Sequence, residues 1–210
     1  MGKYCIIAFA VAMSSNSASG LQAHELTLKF PPNWPYRSSD FARRDTSPDN
    51  DFYAEPRFVH HIDAGARGAL TAYLEQTFAD QLARKRKLLA AASSNADEKA
   101  GHESCKLDAL DVCSSWVSHW PASLSKHMGR TAGVGMNKDE LARNKALQEV
   151  AVVDLNDNSF GEPKLPLKDD SFDVATLTVS VDYLIHPLAV FKELFRVLRP
   201  GQPLLPSNCN

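Results

Sequence analysis

Polar side chains stand at the carboxyl ends of the apolar, strand-like segments in the second half of the chain. The four ends carry Asp111, Met136 with Asn137, Asp154 with Asn156, and Ser180 to Tyr183. If these segments are parallel strands, carboxylate, amide and hydroxyl groups would meet at one polar ligand site, because ligands of such sheets bind beyond the carboxyl ends. Each residue also has a structural interpretation: Asp111 could cap a helix, Asp154 could begin a turn, and Asp182 could be a solvated loop acid.

The stretch LDALDVCSSWVSHWP, residues 107–121, raises a specific chemical question. In a nucleotide-binding unit, glycines should follow the acidic residue at the first strand end, because glycine permits positive φ and close backbone approach to a ligand. Here Cys113, Ser115 and Val117 stand in those places. We predict a reshaped turn, in which left-handed geometry at a non-glycine residue costs about 1 to 2 kcal/mol and more at Val117 than at Ser115.

Three side chains are candidates for removing a proton from a reacting group: His61, His119 and Tyr183. His61 has an alternative role in holding a helix start together with Asp63, and His119 lies in an aromatic stretch that could be a packed loop. We do not expect His60, His61 and Asp63 to bind a metal, because neighbouring residues of an extended chain point in opposite directions and no third ligand cluster is visible.

The elements that must position these residues alternate between strand and helix from Leu107 onward. The predicted strands are LDALDV, TAGVGM, EVAVVDL, FDVATLTVSV and PLLPSN, of which the third is predicted to be buried on both faces. Asn137 and Glu140 predict a helix cap with a reciprocal partner, and Pro187 begins a helix that Gly201 ends. This alternation predicts the α/β fold class, with a Rossmann-like, mostly parallel sheet and helices on both faces.

The first half of the chain divides into three predicted segments. Residues 1–23 have the layout of a targeting peptide or a disordered leader, which favours an organelle such as the plastid or the secretory pathway, or the cytoplasm if it is not cleaved. Residues 24–61 are predicted to be an irregular arm. The domain then begins at residue 62 with a helix whose apolar stripe ends at Leu82, and a flexible insertion is predicted at about 84–105.

Composition limits the class of partner. The net charge of -2 offers no broad surface for nucleic acid or an anionic membrane, so a small-molecule partner is expected. The apolar run near the N-terminus is too short to span a bilayer as a helix. The four cysteines, Cys5, Cys105, Cys113 and Cys209, lack the spacing of a zinc site or a disulfide framework.

Residues 165–201, LPLKDDSFDVATLTVSVDYLIHPLAVFKELFRVLRPG, closely resemble the fourth strand and following helix of class I S-adenosylmethionine-dependent methyltransferases, in particular the type 11 group. The segments LDVCSSW, GVGMNKDEL and VVDLN fall where that family has its first glycine-rich loop, its ribose contact and its adenine contact. The resemblance therefore covers residues 107–205. The arm sequence RRDTSPDNDFYAEPRFVHHID and the loop DVCSSWVSHWP also resemble a poorly characterised subgroup in which serines and a tryptophan replace the glycines.

The resemblance implies S-adenosylmethionine as cofactor and a role for each matching residue. Asp111 would lie near its methionine part, the backbone amides of Cys113, Ser114 and Ser115 would line it, Asp154 would accept the adenine amino group with Leu155 nearby, and Ser180 to Asp182 would form the wall beside the methyl group. Gly135 stands where the family usually has an acid that holds the ribose. Losing that bond would weaken binding by about 1.5 to 3 kcal/mol, for which Asn137 could compensate.

The implied function is methyl transfer to an unknown acceptor by a partial or weakly active enzyme. The alternative is a catalytically inactive, methyltransferase-like binding or scaffold protein, because the glycines and the ribose acid are missing. A nicotinamide-dependent reductase is disfavoured, since neither G-x-G-x-x-G nor an acid at position 135 is present. The family's sheet continues beyond its fifth strand, so we predict a truncated, C-terminally incomplete domain whose fifth strand is an exposed edge unless something covers it.

Overall fold

A seven-stranded sheet forms the centre of the protein. The computed structural model describes residues 35–92, 105–157 and 163–209, together with the backbone of two strands within residues 6–27. The strands are β1 (Ile6–Ala12), β2 (Leu21–Thr27), β3 (Leu107–Val112), β4 (Met128–Gly135), β5 (Glu149–Val152), β6 (Val174–Thr178) and β7 (Pro203–Cys209). Their order is β2-β1-β7-β6-β3-β4-β5, and every neighbouring pair is parallel except β1 with β2. The predicted parallel sheet of five strands is confirmed in β3 to β7.

Helices cover both faces of this sheet, as predicted. They are α1 (Asp49–Phe52), α2 (Ala64–Ala92), α3 (Lys138–Arg143) and α4 (Pro187–Val197), with short 3-10 helices at Ser38–Phe41, Ala122–His127 and Val181–Tyr183. The stripe Leu70, Leu74, Phe78 and Leu82 of α2 packs on one face against β3, β6 and β7. On the other face, Val190, Leu194 and Val197 of α4 pack against the same three strands. None of the helices in the described ranges is long and apolar enough to cross a membrane.

Helix α2 extends further than its sequence pattern predicted. It continues to Ala92, well into the segment predicted to be a flexible insertion from about residue 84, whereas residues 93–104 lie outside the described residues. Polar contacts replace the apolar stripe here: the Arg84 guanidinium donates to the Gly201 carbonyl at 3.0 Å and the Lys85 ammonium to the Lys106 carbonyl at 2.7 Å. The basic residues of this turn therefore hold the helix on the sheet.

Strand β5 is exposed, although the sequence predicted burial on both faces. Val150 is 48% and Val152 54% exposed, because β5 is the terminal strand of the sheet. The prediction that EVAVVDL is buried on both faces was wrong, since β-branched residues also suit an edge strand.

The opposite edge, beyond β7, is paired with the N-terminal segment. Strand β1 runs parallel to β7, with Ile7 opposite Leu204 and Ala10 opposite Ser207, and β2 returns antiparallel to β1. The fifth strand was predicted to be an exposed edge unless something covers it, and in this structure β1 covers it. The predicted targeting peptide over residues 1–23 stays a prediction, and its remaining residues, 1–5 and 13–20, lie outside the described part.

Candidate functional site

The Asp111 carboxylate at the end of β3 is turned into the protein. Its side chain is 3% exposed, and its oxygens accept hydrogen bonds from the Ser114 hydroxyl at 2.6 Å and the Thr176 hydroxyl at 2.9 Å. Burial raises the pKa of Asp111 to about 6, against the lowering effect of hydrogen bonds from Ser114, Ser118 and Thr176. The predicted place of Asp111 beside a cofactor stays a prediction, while its observed contacts hold the loop that follows.

That loop is held by hydrogen bonds to β4 and to Asn144, the residue that follows α3. The Ser114 amide donates to the Val134 carbonyl at 2.7 Å, and the Asn144 side-chain amide donates to the Ser115 carbonyl at 2.9 Å. Cys113, one of the three residues that stand in the glycine places, adopts φ 53°, and so does His119 further along, whereas Ser115 and Val117 do not have positive φ. The turn is therefore reshaped as predicted, with the left-handed conformation at the first of the three places.

Gly135 at the end of β4 is required by the same loop. A Cβ atom at this position would lie 2.1 Å from the Ser114 carbonyl oxygen, a distance at which the backbone must shift. An acidic side chain at position 135 is incompatible with this loop conformation. The missing acid at position 135 thus follows from the course of the backbone at Ser114.

Asn137 caps helix α3, as predicted, but Glu140 is not its reciprocal partner. The Asn137 carbonyl oxygen accepts from the amides of Asp139 at 2.9 Å and Glu140 at 3.0 Å, and its amide nitrogen donates to the carbonyls of Tyr53 at 2.8 Å and Ala54 at 3.4 Å. All four hydrogen-bonding positions of this side chain are thereby used. A compensating contact from Asn137 to a ribose would require the arm to leave.

The arm lies across the carboxyl ends of the strands. Asn156, which follows β5, donates to the Asp49 carboxylate at 2.8 Å and to the Tyr183 carbonyl at 3.0 Å, and its side-chain oxygen accepts from the Ile185 amide at 2.9 Å. The Trp116 indole donates to the Val59 carbonyl at 3.1 Å. Sequence reasoning noted Asn156 as a strand-end residue without seeing that it joins the arm, β5 and the turn after β6.

The tips of three strands meet around the Cys113 thiol and Tyr53. Burial, and after it the charges of Asp111 and Asp154, raise the pKa of Cys113 to about 12, while a hydrogen bond with Ser180 acts to lower it. Burial also raises the pKa of Tyr53 to about 12, with contributions from Cys113, Asp49, Tyr183 and Glu140. The predicted convergence of Asp111 and Asp154 on one edge of the sheet is what the structure shows, whereas Tyr53 was missed because it comes from the arm.

The remaining cofactor candidates lie at the tips of β5 and β6. Asp154 is half-buried and accepts the Asn156 amide at 2.8 Å, and Leu155 is 6% exposed. The Ser180 hydroxyl donates to the Thr178 carbonyl at 2.6 Å. Their predicted cofactor contacts stay predictions.

Two adjoining cavities open between the arm and the turn after β6. The first, of about 470 Å³, is lined by arm residues between Asp40 and Tyr53 and by Asp182, Tyr183 and Leu184. The second, of about 520 Å³, lies between the arm and the start of α4, and shares Phe41, Ala42 and Arg43 with the first. Tyr183, a predicted proton acceptor, is 58% exposed at the first cavity.

The two histidine candidates, His119 and His61, have different surroundings from Tyr183. The ring centroid of His119 is 6.2 Å from that of His60, which lies 4.7 Å from that of Trp116. Burial lowers the pKa of His119, as do His60 and Arg67, so its ring is neutral at neutral pH. His61 is exposed at the surface of the arm. Among the residues that the structure describes, no group of three or more His, Cys, Asp or Glu side chains could hold a metal ion, and Cys105 and Cys113 are free thiols.

The fold is a Rossmann-like α/β domain with a polar edge at the carboxyl ends of its strands, and comparison with known proteins indicates its class. Residues 110–205 match the family described as a methyltransferase domain. The chain is 34% identical over 101 residues to a demethylmenaquinone methyltransferase of Staphylococcus saprophyticus, covering 44% of this chain and 40% of that protein. It is 32% identical over 111 residues to the Staphylococcus aureus MRSA252 protein of the same name, covering 48% and 46%.

Two solved structures are similar over part of their length. A methyltransferase from Mesorhizobium loti is 22% identical with a TM-score of 0.37, covering 48% of this chain and 45% of that one. A structure described as a putative S-adenosyl-L-methionine-dependent methyltransferase from Methanococcus maripaludis is 12% identical with a TM-score of 0.39. The similarity covers 73% of this chain and 67% of that one. The chain spans less than half the length of the curated relatives it matches. The match over residues 110–205 supports the resemblance to class I S-adenosylmethionine-dependent methyltransferases that the sequence motifs indicate.

The cofactor of this superfamily, S-adenosylmethionine, fits the site unequally at its two ends. At the tips of β5 and β6, Asp154 can still accept an amino group, because each carboxylate oxygen has two lone pairs, and Leu155 offers apolar surface. At the tip of β4, Gly135 brings no acid and Asn137 has no free hydrogen-bonding position. The residues therefore suit the adenine end, and the ribose end needs a group that the family pattern does not supply.

Proposed function

We propose that this chain binds S-adenosylmethionine and transfers its methyl group to a small-molecule acceptor. The observation that carries the proposal is that Asp111 and Asp154 stand at the carboxyl ends of parallel strands of one sheet, and that the arm, which lines a cavity of about 470 Å³, packs on this edge through Asp49 and Asn156. Cavities of about 300 to 1,000 Å³ suit small ligands. The family match over residues 110–205 supports the same conclusion.

The residues of the strand tips would hold the cofactor, and those of the arm would hold the acceptor beside it. Asp154 and Leu155 would bind the adenine, and the segment from Ser180 to Asp182 would border the reacting group. When bound, the cofactor supplies an electrophilic methyl group on a positively charged sulfur. The protein then mainly has to align the acceptor, which the packing of arm and strand tips favours.

A hydroxyl or amine acceptor must lose a proton, and charged groups around the first cavity are the candidates to take it. Asp40 and Asp45 accept hydrogen bonds from backbone amides of the arm, and Asp49 pairs with Arg43. Asp182 is exposed at the strand tip and is therefore the carboxylate that can accept a proton. Tyr53, whose pKa is raised to about 12, stays protonated at neutral pH, so its hydroxyl is no base for this proton.

A small acceptor fits this surface better than a nucleic acid. The four carboxylates that line the first cavity, Asp40, Asp45, Asp49 and Asp182, outnumber its two guanidinium groups, Arg43 and Arg44. The whole chain carries a net charge of -2. Binding of a phosphate backbone depends on an excess of basic groups, which this cavity does not provide.

Calorimetric titration with S-adenosylmethionine tests cofactor binding. We expect binding by the wild-type protein and a loss of about 10- to 150-fold in affinity for Asp154→Ala, because a charged hydrogen bond to the adenine is removed. Glu149→Ala is the matched control, since it removes a carboxylate from the other end of the same strand. No heat from a folded wild-type sample, or equal losses in both variants, would contradict the proposal.

Transfer itself is tested with cofactor carrying a labelled methyl group and a small-molecule extract as acceptor source. Label in a low-molecular-weight product would establish the activity. Tight cofactor binding with no transfer to small molecules, proteins or nucleic acids would favour the inactive binding protein instead.

A further inference from the structure

We infer that Glu140 is the residue that binds the ribose hydroxyls of the cofactor, in place of the acid that position 135 cannot carry. The inference rests on the proposed function and names a contact within the same site. It starts from Gly135, where the Ser114 carbonyl leaves no room for a side chain, and from Asn137, whose side chain is fully used.

Glu140 is a buried carboxylate at the tip of β4. It is 6% exposed and lies in the first turn of α3, five residues after Gly135. No ion pair to Glu140 is found within the described ranges. One cation of the arm and one of α3 lie over aromatic rings instead. The Arg57 guanidinium is 4.0 Å from the Phe52 ring centre, and the Arg143 guanidinium is 3.9 Å from the Phe58 ring centre.

Two neutral donors hold this carboxylate. One oxygen accepts the Arg57 backbone amide at 2.6 Å and the other accepts the Ser115 hydroxyl at 2.5 Å. Each carboxylate oxygen has a second lone pair beyond these bonds, so Glu140 can accept further donors from a ligand. A vicinal diol brings two hydroxyl donors to the two oxygens of one carboxylate, which is how acidic residues recognise ribose.

Access to Glu140 requires movement of the arm. With the arm in place the carboxylate is covered, so a ribose can reach it only when the segment around Arg57 lifts from α3. The ribose hydroxyl would then take the place of the Arg57 amide. Cofactor binding is therefore coupled to release of this segment of the arm.

Titration with S-adenosylhomocysteine and with 5′-methylthioadenosine tests the contact. We expect Glu140→Gln to weaken both ligands by about 10- to 100-fold, since a charged hydrogen-bond acceptor is lost. Asp139→Asn, which removes a neighbouring exposed carboxylate, should bind as the wild type does. In the wild type, 2′-deoxy- and 3′-deoxy-5′-methylthioadenosine should be weaker by a similar factor, and in Glu140→Gln they should lose little more.

Amide exchange supplies a readout that needs no substitution. The Arg57 amide should exchange slowly in the free protein and faster when S-adenosylhomocysteine saturates it. Equal affinity of wild type for the ribose and deoxyribose ligands would overturn the inference while leaving cofactor binding intact. Failure of the wild type to bind either nucleoside would overturn the proposed function, and this inference with it.

Discussion

At the scale of single residues, Asp111 is the carboxylate on which the loop after β3 depends. It joins the loop through Ser114 and the neighbouring strand through Thr176, and the Trp120 indole donates to the same Thr176 hydroxyl at 3.1 Å. The sequence predicted a role for Asp111 from its position at the end of an apolar, strand-like segment. Its burial and its raised pKa depend on the serines and the threonine that surround it.

Asp111 predicts a specific pH dependence of stability. Its pKa is raised in the folded state to about 6 from an ordinary value of 3.8, so the folded protein binds this proton more tightly than the unfolded chain. The contribution of Asp111 to the free energy of unfolding therefore falls as the pH rises from about 4 to 6, and is level above that window. Between pH 5 and pH 7 we expect a decrease of about 1 kcal/mol, since the folded form is mostly protonated at pH 5 and mostly ionised at pH 7.

Urea unfolding of the wild type and Asp111→Asn at both pH values measures this effect. The stability of the wild type relative to the variant should be about 1 kcal/mol greater at pH 5 than at pH 7. A difference that does not change with pH would show that the carboxyl group is not protonated in this range.

At the scale of elements, an ionic cluster ties α2 to the amino ends of the strands. Asp173, 1% exposed, accepts the Lys85 ammonium at 2.6 Å and lies 2.9 Å from the Arg199 guanidinium. The same carboxylate accepts the Asp108 amide at 2.8 Å. The cluster thus joins a helix, two strands and the segment after α4, which the sequence places far apart.

Asp173→Asn should destabilise the fold by about 3 kcal/mol, because it leaves two cations and an amide without their shared partner. We place the effect at the low end for a buried pair, since Lys85 and Arg199 are 25% and 35% exposed. Asp169→Asn is the control: Asp169 is 69% exposed beside Arg196, and such surface pairs contribute about 0 to 1 kcal/mol. Chemical unfolding followed by circular dichroism compares them, and similar losses for the two variants would count against the structural role of the cluster.

At the scale of the whole molecule, the N-terminal strands decide whether the sheet ends in a paired or an open edge. Strand β1 pairs along β7 from Ile6 opposite Pro203 to Ala12 opposite Cys209. Without it, the backbone groups of β7 on that side would be unpaired, and an unpaired edge readily recruits another chain. Localisation through a targeting peptide stays a prediction, and a cleaved leader would remove β1 from the mature protein.

Deletion of residues 1–29 should therefore cause self-association, which sedimentation velocity would detect as dimers or larger species. A variant that lacks residues 1–5, which precede β1, is the control and should behave as the full chain. An unchanged monomer after the longer deletion would show that β7 does not need this partner. N-terminal sequencing of protein from its natural source would establish whether β1 is present in the mature form.

The sequence by itself determined the parallel core, the two covering helices and the meeting of strand-end residues on one edge. These follow from local periodicity and from the rule that successive parallel strands end on the same side of a sheet. Only the tertiary structure decided that Cys113 takes the left-handed conformation, that Gly135 lies against the Ser114 carbonyl, and that the arm covers Glu140. Contacts of this kind join segments that are distant in the sequence; Tyr53 and Asn137, for example, are separated by 84 positions. No local sequence pattern encodes packing across such a separation.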